Sequence, residues 1–480
     1  MKRIIALFLV LLMLLPMMFA CKKDDESKET NGTVGESEEL PVVVEDLGGK
    51  EFNVLNVTSE LEYGYANLTE ENSDTVLSDA VFNRNLVVNE RLNATMTVDD
   101  TLTTITQAKE RILSLSMSGE NEYDLYYLNS PHMMQLAVQG HVAEVDNLTD
   151  VIDFDDEWWE PEATGNTMIN GVGYGFVGQA ALHFYDSLYI IAYNTDRAQE
   201  LDIPNLAEIA LDGDWTLEKL KQYTIIGHED NGPNGTNGIK DEYDRFGMAT
   251  NMYFISTVLL SAGEEIVEYD SNNYPSFNGF SDRMIEIYEF VRDNFYVSQQ
   301  SFMANTDKTL ITGQPNHHDI FTSGKSLFYA EPVGSLEKLR TVEFDYCVLP
   351  SPKWDAEDEY ITSVAQHARM FFLPNQTSDF RPIAIYLDNL NYQSMVDVTP
   401  TYIEDVVSLQ RLNNVLSYNV MQDIILKSEK EVSLLFMYDW ASLNTTIQNY
   451  ACQNKGLGAL SISLQRTFAG VVKDTLGEKK

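Results

Sequence analysis

The chain has 480 residues and carries 32 Lys and Arg against 74 Asp and Glu, a formal net charge of −42. Hydrophobic residues make up 44% and aromatic residues 11%, a globular composition and not a disordered one. Such a field repels phosphate backbones, which excludes nucleic acid as a partner, and with no basic patch visible in the sequence it disfavours a large anionic ligand.

At the N-terminus, Lys2 and Arg3 precede an apolar run, Ile4–Leu15, of the length expected for the middle of a secretory signal. Small Ala20 stands before Cys21, and KKDD follows. The pattern resembles a bacterial lipobox, with Met18 where Leu is usual. That resemblance implies cleavage before Cys21 and a lipid on its sulfur. A transmembrane anchor is the competing reading, but Ile4–Ala20 contains Pro16 and falls short of the ~20 apolar residues that a spanning helix needs. Residues 1–20 therefore read as a signal peptide and 21–44 as a lipidated, disordered tether. Together they would hold the protein at the extracellular face of the cell membrane. What remains is too long for one ordinary core and enough for two large lobes.

"KEFNVLNVTSE" opens a strand with Phe52, Val54, Leu55 and Val57. Val81, Val88 and Leu92 then lie on one face of a helix. "ATMTV" is a second strand, and Ile105, Ala108, Ile112 and Leu115 mark a second amphipathic helix. "YDLYYL" is a third strand, followed by a helix with Ser130 as cap and Pro131 at its first position. Strand and helix thus alternate three times, which argues for an α/β layer with a largely parallel sheet. Further on, "TMINGVGYGFVG" and "LYIIAYNTDRAQEL" are strand-like runs around a turn. Thr216 and Ser281 cap two helices, and the stretch from Thr399 onward is mostly helical in pattern.

Catalytic signatures are weak. His317-His318 sits in a loop-like "GQPNHHDIF" and reads as surface sooner than as a metal site; "HED" at 228–230 lacks the HExxH spacing. No GxSxG elbow is present. "GVGYG" at 171–175 lacks the third glycine of a dinucleotide fingerprint and reads as a hairpin. A paired-carboxylate glycosidase has no specific support among so many acids. In the 230–241 loop, Asp230, Asn234, Gly235 and Asp241 partly fit a calcium loop; Gly232, Pro233 and the final Asp do not, and a plain turn-rich loop is the better reading. No other cofactor is indicated. Cys347 and Cys452 show no metal spacing, and they are either a disulfide or two buried thiols.

The segments "DAVFNRNLVVNERLN", "DEWWEPEATGNTMINGVGYGFVG", "LYIIAYNTDRAQELDI", "DGDWTLEKL", "FTSGKSLFYAEPVGSLEKLR" and "DYCVLPSPKWDAEDEYIT" follow one another in order over almost the whole mature chain. In this the chain resembles the extracellular solute-binding proteins of ABC importers, in the group that serves sugars and oligosaccharides. The resemblance implies a type II periplasmic-binding-protein-like fold: two α/β lobes joined by crossing segments around a central cleft. Lobe I would combine 45–179 with 353–395, and lobe II 185–349 with 402–480. It implies a monomer that captures a carbohydrate by hinge closure, without catalysis, and presents it to permease subunits. A surface-anchored polysaccharide-active enzyme and a binder of another solute, such as a peptide or polyamine, are the alternatives.

A sugar site needs flat aromatic rings and planar polar groups. Trp158-Trp159 is a doublet in a loop-like context, where two adjacent side chains cannot easily both face the core, so at least one is expected to line the cleft. By resemblance, Tyr185 and Asp186 follow the first crossing, where a hydroxyl-binding acid is common. Glu331 ends a strand at a place where related binders present cleft residues, and Asp439 with Trp440 lies where a stacking ring is often supplied. Arg369 and Asn129 are further candidates. Trp215 reads as structural, and Trp354 is open.

Overall fold

The computed structural model describes residues 40–59, 63–70, 75–232, 235–412, 414–431 and 441–477. Cys21, Asn234, Asp439 and Trp440, with the signal and most of the tether, lie outside the described residues.

Local chemistry sets the helices as their spacing predicts. The helix Val76–Leu92 begins at Thr75, whose side chain accepts from the Ser78 N–H while Ser78 receives the Thr75 N–H. This reciprocal cap satisfies two orphan donors. Its face of Val81, Val88 and Leu92 is buried. The helix Ile105–Ser118 buries Ala108, Ile112 and Leu115 and stops at Gly119 in a left-handed conformation. Thr216 and Ser281 cap their helices as expected. The helix Ser130–Val138 starts one residue early, with Asn129 in the cap position but not capping. The Asn129 amide is engaged elsewhere, with His367 Nδ1 at 3.0 Å and His132 Nδ1 at 2.9 Å.

The strands run in chain order as β1 (Lys50–Asn56), β2 (Ala94–Asp99), β3 (Leu125–Asn129), β4 (Val142–Ala143), β5 (Gly175–Phe176), β6 (Tyr189–Asn194), β7 (Phe246–Thr250), β8 (Glu268–Tyr269), β9 (Pro275–Ser276), β10 (Ser301–Met303), β11 (Ser326–Pro332), β12 (Tyr346–Leu349), β13 (Ile361–Ser363), β14 (Arg369–Pro374) and β15 (Glu429–Glu431). They build an α/β fold around two mixed sheets. One has the order β2-β1-β3-β14-β4, with β5 added on β14. There β1 is parallel to both β2 and β3, and β14 enters antiparallel. The other sheet has the order β10-β7-β11-β6-β12. There β7 is parallel to β10 and β11, and β6 is antiparallel to β11 and β12.

The expected hairpin at 170–178 is a tight turn only at its start. Asn170 and Gly171 both have positive φ and join a bridged Ile169 and Val172. The outgoing arm then pairs with β14. Gly247 in β7 has no substitute, because a Cβ there would lie 1.8 Å from the Thr224 carbonyl oxygen. Cys347 and Cys452 are both free thiols. Among the described residues no helix is long and apolar enough to cross a membrane.

After β14 the chain forms one unbroken helical run. A regular stretch Arg381–Gln393 passes into a π-turn at Ser394–Val398, one further turn at Thr399–Thr401, and a π-helical stretch Tyr402–Leu412. Pro400 offers no N–H, and in a regular helix its ring would meet the carbonyl four residues back. The turn before it is widened instead, and the Thr399 N–H bonds the Ser394 carbonyl.

This run is pinned at Asp186, which is fully buried. Its Oδ1 accepts from Arg411 Nη1 at 2.5 Å and from the Tyr402 hydroxyl at 2.7 Å, and its Oδ2 from the Tyr65 N–H at 2.7 Å. Removing one member of such a pair strands a charge in the interior. Arg411→Met should therefore cost about 3–5 kcal/mol by urea unfolding, with part of the loss recovered in the double variant Asp186→Asn/Arg411→Met. A loss below about 1 kcal/mol would mean that the pair behaves as a solvated surface bridge.

Candidate functional site

The parallel strands β7, β10 and β11 all end on one cavity of about 520 Å³. Ligand sites of open α/β sheets form at such carboxyl ends. Asn251 follows β7, Ala304 and Asn305 follow β10, and Glu331 and Pro332 close β11. The wall is completed by Tyr63, by Ser363 at the end of β13 and 364–367 between β13 and β14, and by Asn444 and Gln448 on the helix Leu443–Cys452.

Glu331 is the acidic member of this wall. Its carboxylate accepts from Asn251 Nδ2 at 2.6 Å and from the Ser335 hydroxyl at 3.3 Å, and it also contacts His317 Nε2. The His317 ring is stacked on Tyr329 at 5.7 Å. His318 meets the Tyr329 hydroxyl through Nδ1 at 3.3 Å. Burial, with Lys338 nearby, lowers the pKa of His318 and favours its neutral ring.

A second network crosses the floor. The Ser256 hydroxyl donates to Asn444 Oδ1 at 2.5 Å, and Gln448 Nε2 donates to both, at 3.1 Å each. In the wall, the buried polar atoms His317 Nδ1, Ser363 Oγ and Gln448 Oε1 have no hydrogen-bond partner among the described residues. The half-buried rings of Tyr63 and Tyr253 also belong to this wall, which thus combines planar amides and flat rings with a carboxylate.

Of the candidates drawn from the sequence, Glu331 lines this cavity and Trp158, Trp159, Tyr185 and Asp186 do not. Both indole N–H groups of the tryptophan doublet donate to one acceptor, Asp388 Oδ1, at 2.7 and 3.1 Å. That shared acceptor is what lets adjacent side chains both turn inward. Burial raises the pKa of Asp388, and the two indole bonds oppose the shift. The Tyr185 hydroxyl donates to Glu160 Oε1 at 2.8 Å. Arg369 is buried against the Val57 carbonyl. Asn129 stands one hydrogen bond behind the wall, on His367. Trp215 is fully buried and donates to the Pro350 carbonyl at 3.1 Å. Trp354 packs edge-on against Phe290 and lies away from this cavity.

Among the wall residues that sequence reasoning missed are Tyr63, Tyr253, His317, His318, Asn251, Asn444 and Gln448. A signal for the histidine pair was present. Asn316 and Asp319 cap each other reciprocally, which places the pair on the first turn of a short helix, His317–Thr322, and not in a loop. In the 230–241 loop, Asp230 accepts from the Asn237 and Gly238 N–H groups and Asp241 from that of Tyr243. These carboxylates act as turn caps, and among the described residues no cluster is placed to hold a metal ion.

Neither a family model nor a curated protein sequence matches the chain. Solved structures do match it. The UspC protein of Mycobacterium tuberculosis superposes over 88% of this chain and 100% of its own, at 12% identity and a TM-score of 0.58. The ABC substrate-binding protein Lmo0181 of Listeria monocytogenes, solved with cycloalternan, matches over 90% and 100% at 12% identity and a TM-score of 0.54. The maltose/maltodextrin-binding domain MalE of Bdellovibrio bacteriovorus, bound to maltotriose, matches over 88% and 100% at 13% identity and a TM-score of 0.53. At these identities the likeness is one of fold: the chain has the two-sheet architecture of the periplasmic binding proteins.

Behind the wall, the Tyr63 ring stacks on His183 at 5.6 Å. Burial, reinforced by Arg369 and opposed by Asp186, depresses the His183 pKa to about 3. A depressed histidine stabilises the fold above its unfolded value of about 6.5, and that contribution is lost as pH falls toward the folded value. Urea midpoints measured at neutral pH and at about pH 4.5 should fall less in His183→Gln than in the parent. Equal falls would show that His183 carries none of the acid sensitivity.

Proposed function

We propose that this chain is an extracellular solute-binding protein that captures a sugar or oligosaccharide and hands it, unaltered, to an ABC permease. One observation carries the reading: a cavity walled by tyrosine rings, amides and a carboxylate, at the carboxyl ends of three parallel strands, in a fold whose solved relatives hold cycloalternan and maltotriose. The rings of Tyr63 and Tyr253 would meet the C–H faces of the sugar. Glu331, Asn251, Asn444 and Gln448 would meet its hydroxyls. The spare atoms His317 Nδ1, Ser363 Oγ and Gln448 Oε1 support a polar ligand, because buried polar groups without partners are costly.

Capture would proceed by hinge closure of the two sheets with their helices, favoured only insofar as the closed form makes more contacts with the sugar. Asp439 and Trp440 remain candidates for a further polar group and ring. Cys21 would carry the lipid that keeps a monomeric receptor near its transporter and raises the effective concentration of the pair. A polyamine is disfavoured, since the one carboxylate of the described wall is already bonded by Asn251, His317 and Ser335.

A thermal-shift screen against oligosaccharides, peptides and polyamines tests the reading, because a ligand at 100 times its Kd stabilises the fold by about 2.7 kcal/mol. At least one saccharide should raise the Tm and be recovered intact by mass spectrometry. Tyr63→Ala and Tyr253→Ala should each weaken it about 10- to 100-fold, the worth of burying one aromatic face. A shift with peptides or polyamines alone would overturn the sugar reading, and cleaved product would mean an enzyme.

A further inference from the structure

The protein is strongly acidic, yet this cavity is not. Its wall holds Lys308 and Lys338 with His317, His318 and His367, against the single carboxylate of Glu331. That carboxylate already meets Asn251, His317 and Ser335, so its hydrogen-bonding capacity is largely taken up within the wall.

The two lysines are also exceptional in a second way. Other described lysines are tied to the protein: Lys50, Lys221, Lys240, Lys427 and Lys430 by carboxylates, and Lys219, Lys325, Lys353 and Lys455 by hydrogen bonds. Lys308 and Lys338 have neither an ion-pair nor a hydrogen-bond partner among the described residues. Both side chains are exposed, so nothing among the described residues covers their ammonium groups. They reach the cavity by separate routes, Lys308 just after β10 and Lys338 from the 3₁₀ turn Val333–Leu339 that follows β11. This is why the sequence showed no basic patch.

Building on the saccharide reading above, we infer that the saccharide bound here is acidic, bearing a carboxylate or a sulfate ester that pairs with Lys308 and Lys338. Such charge-assisted bonds are the strong ones in a polar site. Outside the cavity the field of the whole chain opposes an anion, so the two ammonium groups also supply the local attraction that admits one.

Purified protein on a glycan panel of uronate-bearing, sulfated and neutral oligosaccharides tests this, with titration calorimetry on the strongest binders. Acidic glycans should bind most tightly, and their affinity should fall as salt rises. Lys308→Gln and Lys338→Gln should each weaken them roughly tenfold while neutral glycans change by less than about twofold. The unliganded Tm should not move, because neither ammonium has a partner to lose. The uronate and sulfate arms tell which anion is read. Tightest binding to neutral glycans, or lysine variants with unchanged affinity for acidic ones, overturns the inference and leaves the saccharide reading standing. Failure of every glycan while a peptide or polyamine raises the Tm overturns both.

Discussion

A carboxylate with no access to water must be answered by the protein, and Asp186 is answered by three groups from two distant parts of the chain. Tyr65 comes from the passage after β1, Tyr402 and Arg411 from the helical run after β14. Much of the site follows from that demand. The chain at Gly64 presses so close that a Cβ there would lie 2.8 Å from that of Asp186. Gly334 is in turn pressed against Gly64 and the Tyr63 ring, with room for a Cβ only 2.9 Å from either. Gly334 belongs to the same turn as Ser335 and Lys338. A single buried acid thus fixes the ring of Tyr63, and through it the turn that carries two further wall residues.

What the sequence revealed was local. Val81, Val88 and Leu92 announced their helix, and Thr216 and Ser281 their caps, because spacing and capping act over a few residues. The alternation of the first three strands gave a parallel layer correctly. The resemblance grouped 353–395 with 45–179, but the seat of β14 beside β3 could not be read, since nothing near Arg369 names a partner some 240 residues back. The ordered resemblance of six segments led to the architecture, but resemblance did not carry side-chain direction. The tryptophan doublet looked like a cleft feature on the argument that neighbours cannot both face inward. Asp388, from a distant helix, removes that objection by accepting both indoles.

Charge was legible as a total and not as a map. Many carboxylates are consumed in holding turns, as Asp230, Asp241 and Asp244 do around one loop. Others neutralise cations in the interior: Lys240 is buried on Asp307 at 2.6 Å, directly beside Lys308 in the chain. A composition of −42 therefore coexists with a wall where basic groups outnumber acidic ones. Only topology decides which few of the charges end up facing one another.

The uninterrupted run from Arg381 to Leu412 bears on how this chain can change over evolutionary time. Loops absorb gained or lost residues at little cost. In a regular helix one added residue turns everything beyond it by about 100° and shifts it by about 1.5 Å. Here that rotation would swing Tyr402 and Arg411 off Asp186. The wide turns at Ser394–Val398 and Tyr402–Leu412 offer the one escape, since a π-turn can house an extra residue without twisting its flanks. Length variation among descendants should collect at those turns and spare the regular stretch Arg381–Gln393.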